Sequence, residues 1–322
     1  MHMLVGEPDK KQEPCARFHH RSIVNPMTQL HSPSIDGAKT YVYTNAEDKL
    51  ERTSMTNRPT DTLTQEYGNL VPTGRLLDGK PRSILFDATK CIGCRHCVQA
   101  CKDWNDHDRT SAYELSSTNW ITMEPPVLEG LSPIWARNSC MHCDFAACAA
   151  VCPVEAITKY EEGPVVINKD VCIGCEYCIH ACPWEVITKN EITGKASKCT
   201  MCSDRISEDK QPFCVQACPV NALDFGFTAE IADKAKKQAE AVGGYTYGDK
   251  EAGGGSVVYV LKESKDKYGV RDIAAGRFPK HKIPLGLMLK DLFTPRCGVA
   301  GKMRALRLAI THPKRLLYRY FS

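Results

Sequence analysis

The residues with the most chemistry in this chain are its cysteines. Eighteen thiols occur in 322 residues, and sixteen of them lie between Cys91 and Cys218 in four groups of four. The groups are CIGCRHCVQAC (Cys91, Cys94, Cys97, Cys101), CMHCDFAACAAVCP (Cys140, Cys143, Cys148, Cys152), CIGCEYCIHACP (Cys172, Cys175, Cys178, Cys182) and CTMCSDRISEDKQPFCVQACP (Cys199, Cys202, Cys214, Cys218). Such a framework is either disulfide or metal. Disulfide scaffolds belong to short secreted chains that lack a core. This chain is long enough to bury one, is 43% hydrophobic, and opens with neither an apolar export signal nor a twin-arginine pair. Neighbouring C-x-x-C thiols are also poorly placed to bridge each other. Metal is the expectation.

Zinc commonly takes two C-x2-C pairs separated by a dozen or more residues and often recruits histidine. Here three thiols fall close together in three of the groups. The run C-x2-C-x2-C-x3-C-P from Cys172 to Pro183 is that of two-cluster bacterial ferredoxins, in which the fourth cysteine ligates the other cluster of a pair. Three thiolates on a tight loop cap three irons of a cubane, and a cysteine one helical turn further on points away from it. Pro183 has no N–H and a fixed φ, which suits a chain leaving a cluster. Gly93 and Gly174 allow the backbone close enough for amides to donate to sulfur.

Cross-ligation needs the groups to pair. The economical arrangement nests the second and third inside the first and fourth. It predicts four [4Fe–4S] clusters, held by Cys91, Cys94, Cys97 and Cys218; by Cys199, Cys202, Cys214 and Cys101; by Cys140, Cys143, Cys148 and Cys182; and by Cys172, Cys175, Cys178 and Cys152. Pairing the first group with the second is the alternative that the sequence leaves open. Four thiolates per cluster leave no iron free for a substrate, so the expected chemistry is electron transfer, with no catalytic residues. His96, His142 and His180 read as packing groups rather than ligands. Lys90, Arg95, Lys102, Lys198 and Arg205 flank the thiols, where positive charge favours the reduced clusters.

The elements that must position these groups repeat with them. RSILFDATK gives a short strand at Ile84, Leu85 and Phe86 that leads into the first group. PVEAI, PWEVI and PVNAL, after Cys152, Cys182 and Cys218, each read as a turn followed by an apolar pair. AEIADKAKKQAEAVGG predicts a helix with Thr228 as N-cap and Gly243-Gly244 as its stop. Gly253 to Gly255 read as a turn, not a phosphate loop, before a strand over Ser256 to Leu261. Residues 1–81 carry seven prolines and no sustained period, the pattern of an extended arm; Cys15, His19 and His20 within it form an incidental cluster. The fold class is α+β: two nested bacterial-ferredoxin-like modules with a long irregular N-terminal arm and a basic C-terminal tail. The domains are 1–81 (arm), 82–139 with 195–262 (outer module), 140–194 (inserted module) and 263–322 (tail).

Taken together, FDATKCIGCRHCVQACKDWND, Trp120 ahead of CMHC, KCTMCSDR with PFCVQACPVNALDFG, and GGGSVVYVL resemble the four-cluster iron–sulfur subunits of molybdopterin (molybdenum or tungsten) oxidoreductases. The likeness covers Arg82 to Lys262 and is nearest to the formate dehydrogenase beta subunit. The resemblance implies a relay between a catalytic large subunit and a membrane cytochrome or other acceptor, and it implies the same nested pairing. Hydrogenase subunits and other respiratory reductases, of the polysulfide or dimethyl sulfoxide type, share this wiring. A zinc-stabilised scaffold or nucleic-acid module is the reading from another class, but no recognition module accompanies the charge, so nucleic acid is not an expected partner.

Membrane-bound formate dehydrogenase beta subunits carry a transmembrane helix near the C-terminus. This chain has PLGLMLKDLFTPRCGVAGKMRALRLAITHPKRLLYRYFS there, and its longest apolar runs fall short of the roughly 18 residues a span needs. Residues 273–322 hold eleven Lys or Arg against one Asp, a local charge of +10 in a chain of +4. Met303, Leu306 and Ile310 share a helical face beside Arg304 and Arg307. That pattern suits a partner groove or an anionic membrane surface. Membrane association is therefore expected through partners and this tail, on the cytoplasmic side unless a signal-bearing partner carries the chain across. Cys297 reads as an incidental thiol.

Overall fold

The computed structural model describes residues 71–109, 113–127 and 134–274, together with Met303. The cluster at Cys15, most of the predicted arm, Cys297 and the basic tail beyond residue 274 lie outside the described residues, apart from Met303. In chain order the strands are β1 (Thr73–Gly74), β2 (Arg82–Asp87), β3 (Thr122–Val127), β4 (Ile134–Asn138), β5 (Ile157–Tyr160), β6 (Val165–Ile167), β7 (Thr188–Lys189), β8 (Ala196–Ser197), β9 (Leu223–Phe227), β10 (Tyr245–Tyr247) and β11 (Val257–Leu261). The helices are α1 (His96–Trp104), α2 (Ala147–Ala150), α3 (Tyr177–Ala181), α4 (Ser203–Ile206), α5 (Phe213–Gln216) and α6 (Thr228–Val242).

β2 and β11 are buried along their whole length and lie in parallel at the centre of a four-stranded sheet ordered β10-β11-β2-β9. Side chains of a strand alternate between faces. Leu85, Val258 and Val260 accordingly turn to one side and meet Ile231, Ala235 and Ala239 of α6, which recur every four residues as one helical stripe. Ile84, Phe86, Val257, Tyr259 and Leu261 turn to the other side and pack with Cys101, Cys199 and Cys214. The sheet thus presents one face to a helix and the other to thiols.

Two of the sequence expectations shift here. Phe227, not Thr228, caps α6: β9 runs on to pair Phe227 with Arg82, so Thr228 becomes the first helical residue, its amide on Pro81 O and its hydroxyl 2.9 Å from Ser83 Oγ. Gly243 ends the helix in a left-handed conformation, φ 65°, as its sequence position suggests. The strand predicted from Ser256 begins at Val257.

A smaller sheet, ordered β1-β5-β6, is built on the β5–β6 hairpin. Ile157, Val165 and Ile167 pack there with Cys152, Cys178 and Ala196. The last stretch of the predicted arm is not free: β1 joins β5 in parallel, and the following turn is held by Glu162, a carboxylate without exposed surface. Its oxygens accept the amides of Leu76 at 2.9 Å, Leu77 at 2.7 Å and Gly79 at 2.9 Å. The start of the predicted tail also packs, since a 3-10 turn over Lys265–Tyr268 buries Tyr268 against the main core.

Candidate metal centres

Two residues after the first cysteine of each group the backbone turns left-handed, at Gly93 (φ 67°), His142 (48°), Gly174 (70°) and Met201 (58°). The turn aims an amide back at the preceding thiol. His142 N lies 3.4 Å from Cys140 Sγ and Met201 N 3.3 Å from Cys199 Sγ, and the Gly93 amide donates to Cys91. Glycine is therefore not required by the turn alone. At Gly93 a Cβ would collide with the Trp135 ring, and at Gly174 with the Gly194 carbonyl, which is the nearer reason for both.

A second repeat follows the fourth cysteine. Glu155, Glu185 and Asn221, in the turns PVEAI, PWEVI and PVNAL, all have φ of 50–53°. The next amide then reaches the sulfur: Ala156 N to Cys152 Sγ at 3.2 Å and Ala222 N to Cys218 Sγ at 3.3 Å, with Val186 N on Cys182. The first group has Lys102 where the others have proline, so α1 continues to Trp104. The place of the amide is taken by the side chain of Asn105, 3.8 Å from Cys101 Sγ. Trp184 Nε1 donates to Cys143 Sγ at 3.2 Å. N–H donors on sulfur stabilise the anionic thiolate.

The thiols are brought together across groups. One cavity, with about 330 Å³ of atom-free space, is lined by Cys152 from the second group and Cys172, Cys175 and Cys178 from the third. Another, of about 290 Å³, is lined by Cys101 from the first and Cys199, Cys202 and Cys214 from the fourth. Cys91 lies in electrostatic contact with Cys218 and Cys94, and Cys148 with Cys182, Cys140 and Cys143. Between these sets Cys97 lies in electrostatic contact with Cys214, Cys199 with Cys140, and Cys178 with Cys148. Burial pushes the thiols of Cys97, Cys143 and Cys202 up to about 12 and those of Cys182 and Cys199 up to about 11. Buried thiols of this kind ionise when a metal supplies the compensating charge.

Cations stand among them. Lys198 is buried and donates to the carbonyls of Val165 and Cys199; burial opposes its charge, but Cys140, Cys148, Cys199 and Cys182 hold its pKa above the ordinary lysine value. Lys102 is also buried. Arg205 instead lies over the rings of Trp104 and Phe213, Lys90 pairs with Asp87 at 3.2 Å, and Arg95 covers the ring of Tyr113 at 3.7 Å. His96 and His180 are exposed. His142 is buried and neutral, its pKa driven well down by burial and by Lys198, Lys159 and Arg137, and its Nδ1 accepts the Val165 amide at 2.9 Å. Sequence reasoning missed Arg137, Lys159, Asn105 and Trp184. Only Asn105 carried a signal, four residues after a cysteine that lacks the following proline.

Two models for a 4Fe-4S dicluster domain match the chain, over residues 90–156 and 133–228. The B subunit of the anaerobic dimethyl sulfoxide reductase of Escherichia coli (strain K12) is 40% identical over 155 residues, 47% of this chain and 76% of that one. The iron–sulfur subunit of the nitrate-inducible formate dehydrogenase of the same organism is 33% identical over 215 residues, 60% of this chain and 72% of that one. The protein belongs to the four-cluster iron–sulfur subunits of molybdopterin oxidoreductases. Its cofactors are four [4Fe–4S] clusters, and its function is electron transfer within an oxidoreductase complex. The residues present fit that cofactor: soft thiol donors line both cavities, and a backbone N–H reaches a sulfur of each. Clusters in this family carry single electrons. No helix among the described residues is long and apolar enough to cross a membrane.

Proposed function

We propose that the sixteen cysteines divide into the four nested ligand sets named above and that the subunit is a wire without catalytic residues of its own. The observation that carries this reading is the meeting of Cys152 with Cys172, Cys175 and Cys178 around one cavity and of Cys101 with Cys199, Cys202 and Cys214 around another. The pairing of β2, before the first group, with β9, after the fourth, supports an outer module whose halves flank an inserted one. The electrostatic contacts between thiols of neighbouring sets support one line of hops: from the Cys91 set to the Cys199 set, then to the Cys140 set and the Cys172 set.

The Cys91 set forms one end of that line. Cys94 is the one exposed cysteine among the described residues, and Ile92 and Tyr113 near it are 58% and 60% exposed. We assign this end to a molybdopterin catalytic subunit and the other to a membrane cytochrome or another acceptor. The formate dehydrogenase relatives align over more of this chain than the dimethyl sulfoxide reductase ones, which favours a formate-oxidising partner. The higher identity of the latter favours sulfoxide reduction as the second reading.

Anaerobic purification of the complex tests both levels. About sixteen iron and sixteen acid-labile sulfide per chain are expected for four cubanes, with visible absorbance bleached by dithionite. Zinc in place of iron would end the reading. Reduction of the clusters by formate, or oxidation of the reduced clusters by dimethyl sulfoxide, separates the two partners.

A further inference from the structure

Arg137, near the end of β4, is one of the largest side chains in the interior, with 1% of its surface exposed. Nη1 donates to Ser139 Oγ, Nη2 stands 4.0 Å from Cys214 Sγ, and Nε has no partner. No carboxylate pairs with it among the described residues. An ion taken out of water costs several kcal/mol unless an opposite charge meets it. The nearest compensating charge is the Cys214 sulfur, 4.0 Å from Nη2, once a metal has made it a thiolate. The side chain cannot readily swing out to solvent, because its own carbonyl is pinned by the Tyr259 hydroxyl at 2.7 Å and Tyr259 stacks edge-on against Phe86.

Cys214, the thiol that Arg137 approaches, belongs to the proposed set of Cys101, Cys199 and Cys202, and Cys97 of the neighbouring set lies within the field of the same guanidinium. We propose that Arg137 is a potential-setting residue, a fixed positive charge between two clusters that raises the reduction potential of the one held by Cys101, Cys199, Cys202 and Cys214 above what its thiolates alone would give. The physical reason is that a reduced cluster carries one more negative charge than an oxidised one, so a buried cation within reach of its sulfur favours the reduced form. An electron passing from the Cys91 set is thereby drawn inward to the second cluster. The neighbouring cluster is raised less, since the guanidinium makes its 4.0 Å contact with Cys214 of this one. Unlike Lys90 or Arg95, which reach solvent, this charge is shielded from added salt.

The inference rests on the proposed ligand sets, and the test keeps the two apart. The intact complex carrying Arg137→Met or Arg137→Lys is titrated potentiometrically and followed by EPR, after iron and sulfide have been counted. With four clusters present, Arg137→Met should lower the potential of one cluster enough to move its electron-sharing equilibrium with the others about tenfold, about 59 mV for a one-electron couple. Arg137→Lys should keep most of the wild-type value, and raising the salt should not erase the difference. Four clusters with four unchanged potentials in Arg137→Met overturn the proposal, whereas a wild-type count well below four clusters overturns the ligand sets instead. Should Arg137→Met fail to assemble, wild-type complex labelled with 15N in its arginine guanidinium groups decides the matter. Pulsed EPR of the reduced protein should then show nitrogen coupled to a cluster, and no coupling would refute the proposal.

Discussion

A cysteine that ligates the cluster of another group leaves a signature that local ligation cannot imitate. Under the proposed wiring, Cys152→Ser disturbs the cluster of Cys172, Cys175 and Cys178, held by a separate segment of the sequence, and spares that of Cys140, Cys143 and Cys148. A hydroxyl is a harder and more weakly acidic donor than a thiol, so one iron of that cubane becomes labile. Iron analysis should fall by about one per chain, with a three-iron EPR signal at one site; damage confined to the Cys140 set would refute the wiring. Gly174→Ala acts on the same cluster from the backbone, since φ is 70° and the new methyl meets the Gly194 carbonyl. A loss of about 1–3 kcal/mol is expected from such overpacking, read as a lower unfolding temperature and faster cluster loss, while Gly243→Ala at the end of α6, where nothing crowds the site, should leave the clusters intact. What requires glycine at Gly174, the Gly194 carbonyl, comes from another part of the chain, but the thiols were legible in the sequence because their chemistry depends on spacing along it. Arg137 and Lys159 were not: an arginine in IWARN looks like any strand arginine until the fold sets it against sulfur from a segment seventy-seven residues away.

Elements succeed where the local pattern is strong and yield where a partner overrides it. α6 could be read from its stripe and its glycine stop, but its first residue could not, because β9 extends to Phe227 to finish its ladder with β2. The stretch from Val71 to Pro81 carried no period and read as arm. It is ordered from outside, by β5 and by the carboxylate of Glu162, an interaction eighty-odd residues distant that leaves no mark on local composition. That latch should depend on pH. Burial pushes the Glu162 carboxyl up, but the amides of Leu77, Leu76 and Gly79 outweigh it and hold the pKa below the ordinary 4.5. Asp78 in the same stretch is held at about 2, chiefly by its hydrogen bond from Arg82. Both are depressed carboxyls, so their contribution is complete above the unfolded values and is lost as pH falls through the folded ones. Protection of the Leu76, Leu77 and Gly79 amides, measured against their intrinsic exchange rates, should therefore be complete at about pH 5 and above and fall toward about pH 2. Glu162→Gln should lower it at neutral pH, since hydrogen bonds to a charged acceptor are worth about 1.5–3 kcal/mol each; unchanged protection in that variant would show that β1 pairing alone holds the segment.

At the scale of the molecule, the proposed line of clusters gives the two ends of the subunit different tasks, and the surface near Cys94 reflects one of them. A cluster that exchanges electrons with another protein must lie near the surface, and the patch around it must exclude water when the partner docks. Ile92 and Tyr113 supply apolar area there, and the ring of Tyr113 is already backed by the Arg95 guanidinium. Aromatic and arginine side chains are the usual anchors of such interfaces. The basic tail, by contrast, concentrates +10 of charge beyond residue 272 and leaves −6 on the rest of the chain, so the positive charge is separated from the Cys94 end in sequence. Replacing Ile92 with Asn and Tyr113 with Ser changes no charge near the cluster, so the four reduction potentials should stay within error of wild type. Reduction by the catalytic subunit's substrate should slow by tenfold or more, the equivalent of about 1.4 kcal/mol lost from docking, while reduction by dithionite, which needs no docked partner, should be unaffected. Equal slowing of both would mean that the substitutions had damaged the cluster itself. No slowing of either would place the catalytic partner at the opposite end of the wire, beside the Cys172 set.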